Sequence, residues 1–155
     1  MKEYLIDASP DLNFDDYNNR ETLTVVYPKV SREVKDDFYN NKFNGEVSKF
    51  YLKGKDIICG VLANSVEKTL QSGKVVKGCA IYGIYYNRNR YENLTPLLKK
   101  YIFSVKMENL AKIGKPYKQK YFFVEAIPVN EEQRELLKSV GFHQEENSEK
   151  YSRVI

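Results

Sequence analysis

The sequence has little of what metal sites and disulfide frameworks require. Its 155 residues include two cysteines, one histidine and no tryptophan. Because His143 stands alone and no cysteine has a ligand-type neighbour, we expect neither a zinc site nor any other metal. Cys59 and Cys79 lie in apolar segments and are expected to be reduced core thiols, with a disulfide as the weaker alternative.

Long apolar runs are also missing. No stretch approaches the roughly 20 residues that cross a bilayer, and the start "MKEYLIDASPDLNFDD" turns acidic and polar too soon for a signal peptide. We therefore expect a cytoplasmic protein with no membrane partner. The length and the hydrophobic content of 42% are typical of one folded domain over residues 1–155, in which residues 1–21 form an acidic arm or an extra strand.

Charge is unevenly distributed along the chain. The formal net charge is +4, but residues 86–120 contain nine basic and two acidic residues, whereas residues 1–22 contain two basic and six acidic ones. The basic middle segment would attract anions such as phosphates or nucleic acid. On charge alone, a solvated helix face is the simpler interpretation.

Local patterns predict alternating strands and helices. Single strands are predicted over residues 22–28 and 120–129, and a last strand includes "KYSRVI". Between the first two, residues 56–87 are predicted to form a meander of three strands, with turns near "ANS" and "QSGK". The predicted helices are residues 31–43, one that begins at Thr95 and one that begins after Asn130, while "NGEVSKFYLKG" is either a short helix or extended.

The two later helices carry end signals. Thr95 is the predicted N-cap of the first, with Pro96 in its first turn and Gly114 beyond its end. The predicted apolar face of this helix consists of Leu97, Leu98, Tyr101, Ile102 and Val105. Asn130 and Gly141 are the predicted caps of the second. The element order predicts an α/β protein with a mixed, mainly antiparallel central sheet and helices on both faces.

Two motifs resemble those of the GNAT superfamily, the acetyl-CoA-dependent N-acetyltransferases. The segment "RYENLT" lies where the family has a glycine-containing pyrophosphate loop, with Arg90 matching, Asn93 replacing the first glycine and Thr95 replacing the second small residue. In the last long helix, Asn130 precedes the "GF" pair at Gly141 by the family's usual spacing. Leu137 stands where the family often has a tyrosine that protonates the leaving thiolate.

The resemblance implies acetyl-CoA as co-substrate and a set of site residues. The expected acetyl-CoA contacts are Tyr85, Tyr86, Arg90, Asn93, Leu94, Thr95 and Asn130. Backbone N–H groups and a helix N-terminus would hold the pyrophosphate, and the backbone N–H near Tyr85 would stabilise the oxyanion. Gly83 is expected to mark a bulge. Glu125 is the candidate general base. The candidate acids, which the sequence does not distinguish, are Tyr82, Tyr85, Tyr86, Tyr101 and Tyr151.

The resemblance favours an N-acetyltransferase that acts on a primary amine by direct attack. The amine would belong to a small molecule, a peptide or protein, or an aminoacyl-tRNA. The alternative is a GNAT-like domain without catalysis that binds protein or nucleic acid, because both loop glycines and the tyrosine are absent.

Overall fold

The computed structural model describes residues 3–8, 24–27, 47–86, 94–111 and 120–155. The strands are β1 (Glu3–Asp7), β2 (Thr24–Tyr27), β3 (Lys49–Lys53), β4 (Asp56–Thr69), β5 (Val75–Tyr86), β6 (Tyr121–Ala126), β7 (His143–Gln144) and β8 (Tyr151–Val154). The helices are α1 (Thr95–Ala111) and α2 (Glu131–Ser139). The predicted helix over 31–43 lies outside the described residues.

All described strands belong to one sheet. Its order is β1-β3-β4-β5-β6-β8-β7, and β2 pairs with β5 beside this path. The β5–β6 pair is parallel, and the other pairs are antiparallel. This confirms the predicted mixed, mainly antiparallel sheet. The strand β1 lies within the residues expected to form an acidic arm or an extra strand, and it takes the outer position next to β3. The strand predicted over 22–28 is present as β2 and pairs with β5.

The predicted three-strand meander is a hairpin of two long strands. The predicted turn near "ANS" is wrong, because β4 continues through Asn64 and Ser65, which pair with Ala80 and Cys79 of β5. The register between β4 and β5 shifts once, between Leu62 and Ala63. The turn near "QSGK" is confirmed: the Leu70 backbone N–H donates to the Lys74 carbonyl at 2.8 Å.

The ambiguous segment before β4 is extended and forms β3, which is paired with both β1 and β4. Its ladder with β4 ends at Lys49 and Val61. Beyond that pair, the buried Ser48 hydroxyl donates to the Ala63 carbonyl and accepts from the Ala63 N–H, each at 2.9 Å. A side chain therefore continues the hydrogen bonding that the β3 backbone no longer supplies.

The two described helices pack into one core cluster with the sheet. The apolar stripe of α1 is buried as predicted, namely Leu97, Leu98, Tyr101, Ile102 and Val105. Leu137 and Val140 of α2 join the same cluster, together with Cys79 and Val124 of the central strands. Because neighbouring strand residues point to opposite faces, the buried Phe50, Leu52 and Leu62 cover the other face.

The helix ends mostly follow the sequence signals. Asn130 caps α2 as predicted, since its side chain accepts a hydrogen bond from the Gln133 N–H at 2.9 Å. Gly141 follows the helix with a φ of 90°. At α1 the first helical hydrogen bond is accepted by the Leu94 carbonyl, so the helix begins one residue earlier than predicted and Leu94 holds the N-cap position.

Both cysteines are buried and free, which confirms the prediction of reduced core thiols. Burial raises the pKa of the Cys59 thiol to about 12. Within the described ranges, no helix is long and apolar enough to cross a membrane. The same residues contain no group of three His, Cys, Asp or Glu side chains placed to hold a metal ion.

Candidate functional site

The strand β5 has different neighbours along its length on the edge opposite β4. Its first half pairs with β6 from Lys77 to Ala80. Its last residues, Ile84 to Tyr86, pair with β2 on the edge opposite β4. Between these two pairings β5 has the bulge expected near Gly83, where Leu62 opposes Gly83 and Ala63 opposes Ile81. The strand next to β5 therefore changes from β6 to β2 across this bulge, and the predicted oxyanion donor lies just beyond it.

Tyr85, the predicted position of that donor, is fully buried. Its backbone lies between Gly60 of β4 and Val25 of β2. The ring lies over Gly83, where an added Cβ would come within 2.7 Å of the phenol. Gly83 therefore serves the packing of Tyr85 as well as the bulge. The backbone of Tyr86 pairs with Thr24 and Cys59, and its side chain lies outside the described residues.

Glu125, the predicted base, lies on β6 at the last pair before β5 and β6 separate. It is paired with Ala80 on one side and Ser152 on the other. Its carboxylate is mostly buried and lies 3.3 Å from the Lys150 ammonium group. Since its neighbour Val124 packs in the core cluster with the helices, the Glu125 side chain extends from the opposite face of the sheet.

The predicted pyrophosphate loop is only partly described. Arg90 and Asn93 lie outside the described residues. Leu94 is buried. The Thr95 hydroxyl lies 2.9 Å from the Ser139 hydroxyl. Because Ser139 donates its own proton to the Leu136 carbonyl, Thr95 is the donor in this contact, and the contact joins the start of α1 to the end of α2.

Asn130 takes part in a reciprocal cap at the start of α2. While its side chain accepts from the Gln133 N–H, the Gln133 side-chain oxygen accepts from the Val129 N–H at 2.8 Å. Leu137 is buried in the core cluster, so this position offers no hydroxyl to a leaving group.

Tyr101 was one of the conceivable acids, but it has a structural role. Its hydroxyl donates to the Val47 carbonyl at 2.6 Å. Burial, with smaller contributions from Cys79 and Tyr121, holds the pKa of Tyr101 well above its ordinary value. Its hydroxyl proton is therefore committed to the contact between α1 and the segment that precedes β3.

No protein-family profile and no curated protein matches the chain. Solved structures do. A mutant AtaT toxin bound to the C-terminus of the antitoxin AtaR and to acetyl-CoA is 12% identical, with a TM-score of 0.63 over 98% of this chain and 92% of that one. A KacTA–DNA complex is 10% identical, with a TM-score of 0.64 over 99% and 93%. A structure described as a bacterial toxin is 14% identical, with a TM-score of 0.64 over 99% and 90%.

These similarities identify the fold. The chain has the fold of the GNAT superfamily, as its loop and helix motifs indicated. The pairing of β2 with the outer edge of β5 could not be predicted, because a short β-branched segment carries no signal for its pairing partner. The Thr95–Ser139 contact was also not predictable, since two hydroxyls far apart in the chain leave no local pattern.

Proposed function

We propose that the protein is an N-acetyltransferase that moves an acetyl group from acetyl-CoA to a primary amine. The observation that carries this proposal is the end of the β5–β6 pairing at Ala80 and Glu125, before the predicted oxyanion donor on β5, in a GNAT fold. A solved structure with this fold, the mutant AtaT toxin, is described as bound to acetyl-CoA.

The start of α1 would receive the pyrophosphate. The backbone N–H groups there are not all used within the helix, and the helix dipole favours negative charge. The resemblance places Arg90 and Asn93 just before it, and the backbone of Leu94 and Thr95 completes the set. The Thr95 hydroxyl would leave Ser139 to donate to a phosphate oxygen, which costs one exposed hydrogen bond.

The chemistry assigned to the chain is direct attack. The amine nitrogen bonds to the thioester carbonyl carbon, the carbonyl oxygen carries the developing charge, and the carbon–sulfur bond then breaks. The backbone near Tyr85 would donate to that oxygen once β2 leaves this edge of β5. Glu125 would accept the proton that the amine loses, directly or through water, because an alkylamine has a pKa near 10.4 and is mostly protonated at neutral pH. Asn130 would position the co-substrate at the start of α2.

Thermal melting with acetyl-CoA tests the binding step. At about 100 times its Kd, a ligand adds about 2.7 kcal/mol to the stability of the folded state, which raises Tm by roughly 5–10 °C in a domain of this size. Arg90→Ala should reduce this shift and leave the unliganded Tm unchanged, with Arg88→Ala as the matched control. No shift at millimolar acetyl-CoA would remove the enzymatic proposal.

Release of the CoA thiol tests the chemistry. The acceptors to supply are a small amine, a peptide amine and an aminoacyl-tRNA, the last because another AtaT structure is described as complexed with acetyl-methionyl-tRNA. Glu125→Gln should lower kcat about 10²- to 10⁴-fold while the melting shift with acetyl-CoA remains. Glu149→Gln, at an exposed glutamate nearby, should retain activity.

The second candidate is a GNAT-like binding or regulatory module without catalysis, which contacts protein or nucleic acid. The observation that favours it is Leu137, which fills the core where the family often has a tyrosine. A melting shift with acetyl-CoA and no acetyl transfer to any of the three acceptors would select this candidate.

A further inference from the structure

A groove runs between α1, the end of α2 and the end of β8, and we name it the α1–β8 groove. Its volume is about 530 Å³, which is within the usual range for ligand sites. The lining residues that matter for its chemistry are Lys99, Phe103, Lys106, Arg153 and Val154. None of the residues proposed for acetyl transfer lines the groove.

The groove is cationic. Three of its lining side chains, Lys99, Lys106 and Arg153, are basic, and none of the described lining residues is acidic. Arg153 is held in place, because one guanidinium N–H donates to the Val140 carbonyl at 2.9 Å and the side chain lies against Gly141. The cation therefore remains at the groove wall, where it does not need to be ordered when a partner binds.

The same groove exposes large apolar side chains. Phe103 is 62% exposed and Val154 is 83% exposed, while Ile102 and Val140 are buried beneath them. On α1, Phe103 lies between the two lysines on one stripe of the helix, since residues three and four apart are surface neighbours. Phe103 contributes little to the core, and together with Val154 and the three cations it gives the groove a mixed apolar and cationic lining.

We infer that the α1–β8 groove is a docking surface for an acidic protein segment that carries large apolar side chains. Acidic side chains would pair with Lys99, Lys106 and Arg153, and the apolar ones would cover Phe103 and Val154. A nucleic acid strand would also use the cations, and a base would stack on Phe103. A nucleic acid strand would leave Val154 and the neighbouring apolar wall without an apolar group to cover them. The mixed lining therefore favours the peptide.

Fluorescence anisotropy tests the inference directly. The probes are a labelled peptide in which pairs of Glu alternate with Leu and Phe, the same peptide with Lys in place of Glu, and a labelled single-stranded oligonucleotide. The variants are Lys99→Glu combined with Lys106→Glu, and Phe103→Ala. The matched control is Lys55→Glu combined with Lys77→Glu, which reverses two exposed lysines outside the groove.

We expect the acidic peptide to bind and the lysine peptide not to bind. The groove double variant should weaken acidic-peptide binding by about tenfold or more, because two attractive contacts become repulsive. Phe103→Ala should weaken it severalfold, and the control should not. Three outcomes overturn the inference: no binding of the acidic peptide, equal weakening by the control pair, or tighter binding of the oligonucleotide that the groove variant abolishes. Acetyl-CoA plays no part in the assay, so its result is independent of the proposed enzymatic function.

Discussion

Replacing Ser48 with alanine should destabilise the protein far more than the loss of one small side chain implies. The Ser48 hydroxyl is fully buried and both donates to the Ala63 carbonyl and accepts from the Ala63 N–H. Ser48→Ala would leave two backbone groups of a buried strand without these partners. An unsatisfied buried polar group costs about 1–3 kcal/mol, so with some local relaxation we expect a loss of about 2–4 kcal/mol.

Urea unfolding measures this loss directly. The midpoint should fall while the slope m stays constant, since the same surface is exposed on unfolding. In a thermal scan the loss corresponds to roughly 5–15 °C in Tm. The control is Ser72→Ala, because the Ser72 hydroxyl accepts only a long 3.4 Å hydrogen bond from Lys74 in an exposed turn. A Ser48→Ala loss within about 0.5 kcal/mol of the control would refute the reasoning.

Three further outcomes follow from single contacts. Gly78→Ala should destabilise by about 1–3 kcal/mol, because the new Cβ would lie 2.5 Å from the buried Phe123 ring; a neutral result in urea unfolding would contradict this. Cys59, whose pKa burial raises to about 12, should react with a thiol reagent at mildly alkaline pH only after unfolding, and fast labelling of the native protein would be inconsistent with that burial. The hydrogen bond from Lys68 makes the pKa of Glu145 lower in the folded protein than in the unfolded chain. The ionised carboxylate therefore stabilises the fold at any pH above the unfolded-state pKa, and this stabilisation is lost as the pH falls through the folded-state pKa. Glu145→Gln should therefore cost up to about 1 kcal/mol at neutral pH and nothing in strong acid, as urea unfolding across pH would measure.

The sequence predicted the elements that are specified locally. The α2 caps at Asn130 and Gly141, the buried stripe of α1 and the "QSGK" turn each depend on residues within a few positions of one another. The turn near "ANS" failed because Asn and Ser are turn formers only in the absence of a partner strand. Here Asn64 and Ser65 face β5, and tertiary pairing overrides their local preference.

The candidate site was less accessible from the sequence. Glu125 lies at the last pair between β5 and β6. To predict this position, one must know the register of two parallel strands that are joined through a helix. No local sequence pattern encodes that register. The sequence pointed to Glu125 only because it is the acidic residue on a predicted core strand. The groove beside Phe103 had no comparable signal, because its lining comes from α1, α2 and β8, and its charge is recognisable only after those elements meet.

The pairing of β2 with the end of β5 has a consequence for the measurement of ligand affinity. The backbone of Ile84–Tyr86 is paired with β4 on one edge of β5 and with β2 on the other. An extended ligand that hydrogen-bonds to these residues can use only the edge that β2 occupies. Ligand and β2 therefore exclude each other at these residues. The apparent Kd for such a ligand equals its intrinsic Kd divided by the fraction of molecules in which β2 has left the edge. A change in β2 that never touches the ligand would alter the measured affinity through this fraction alone.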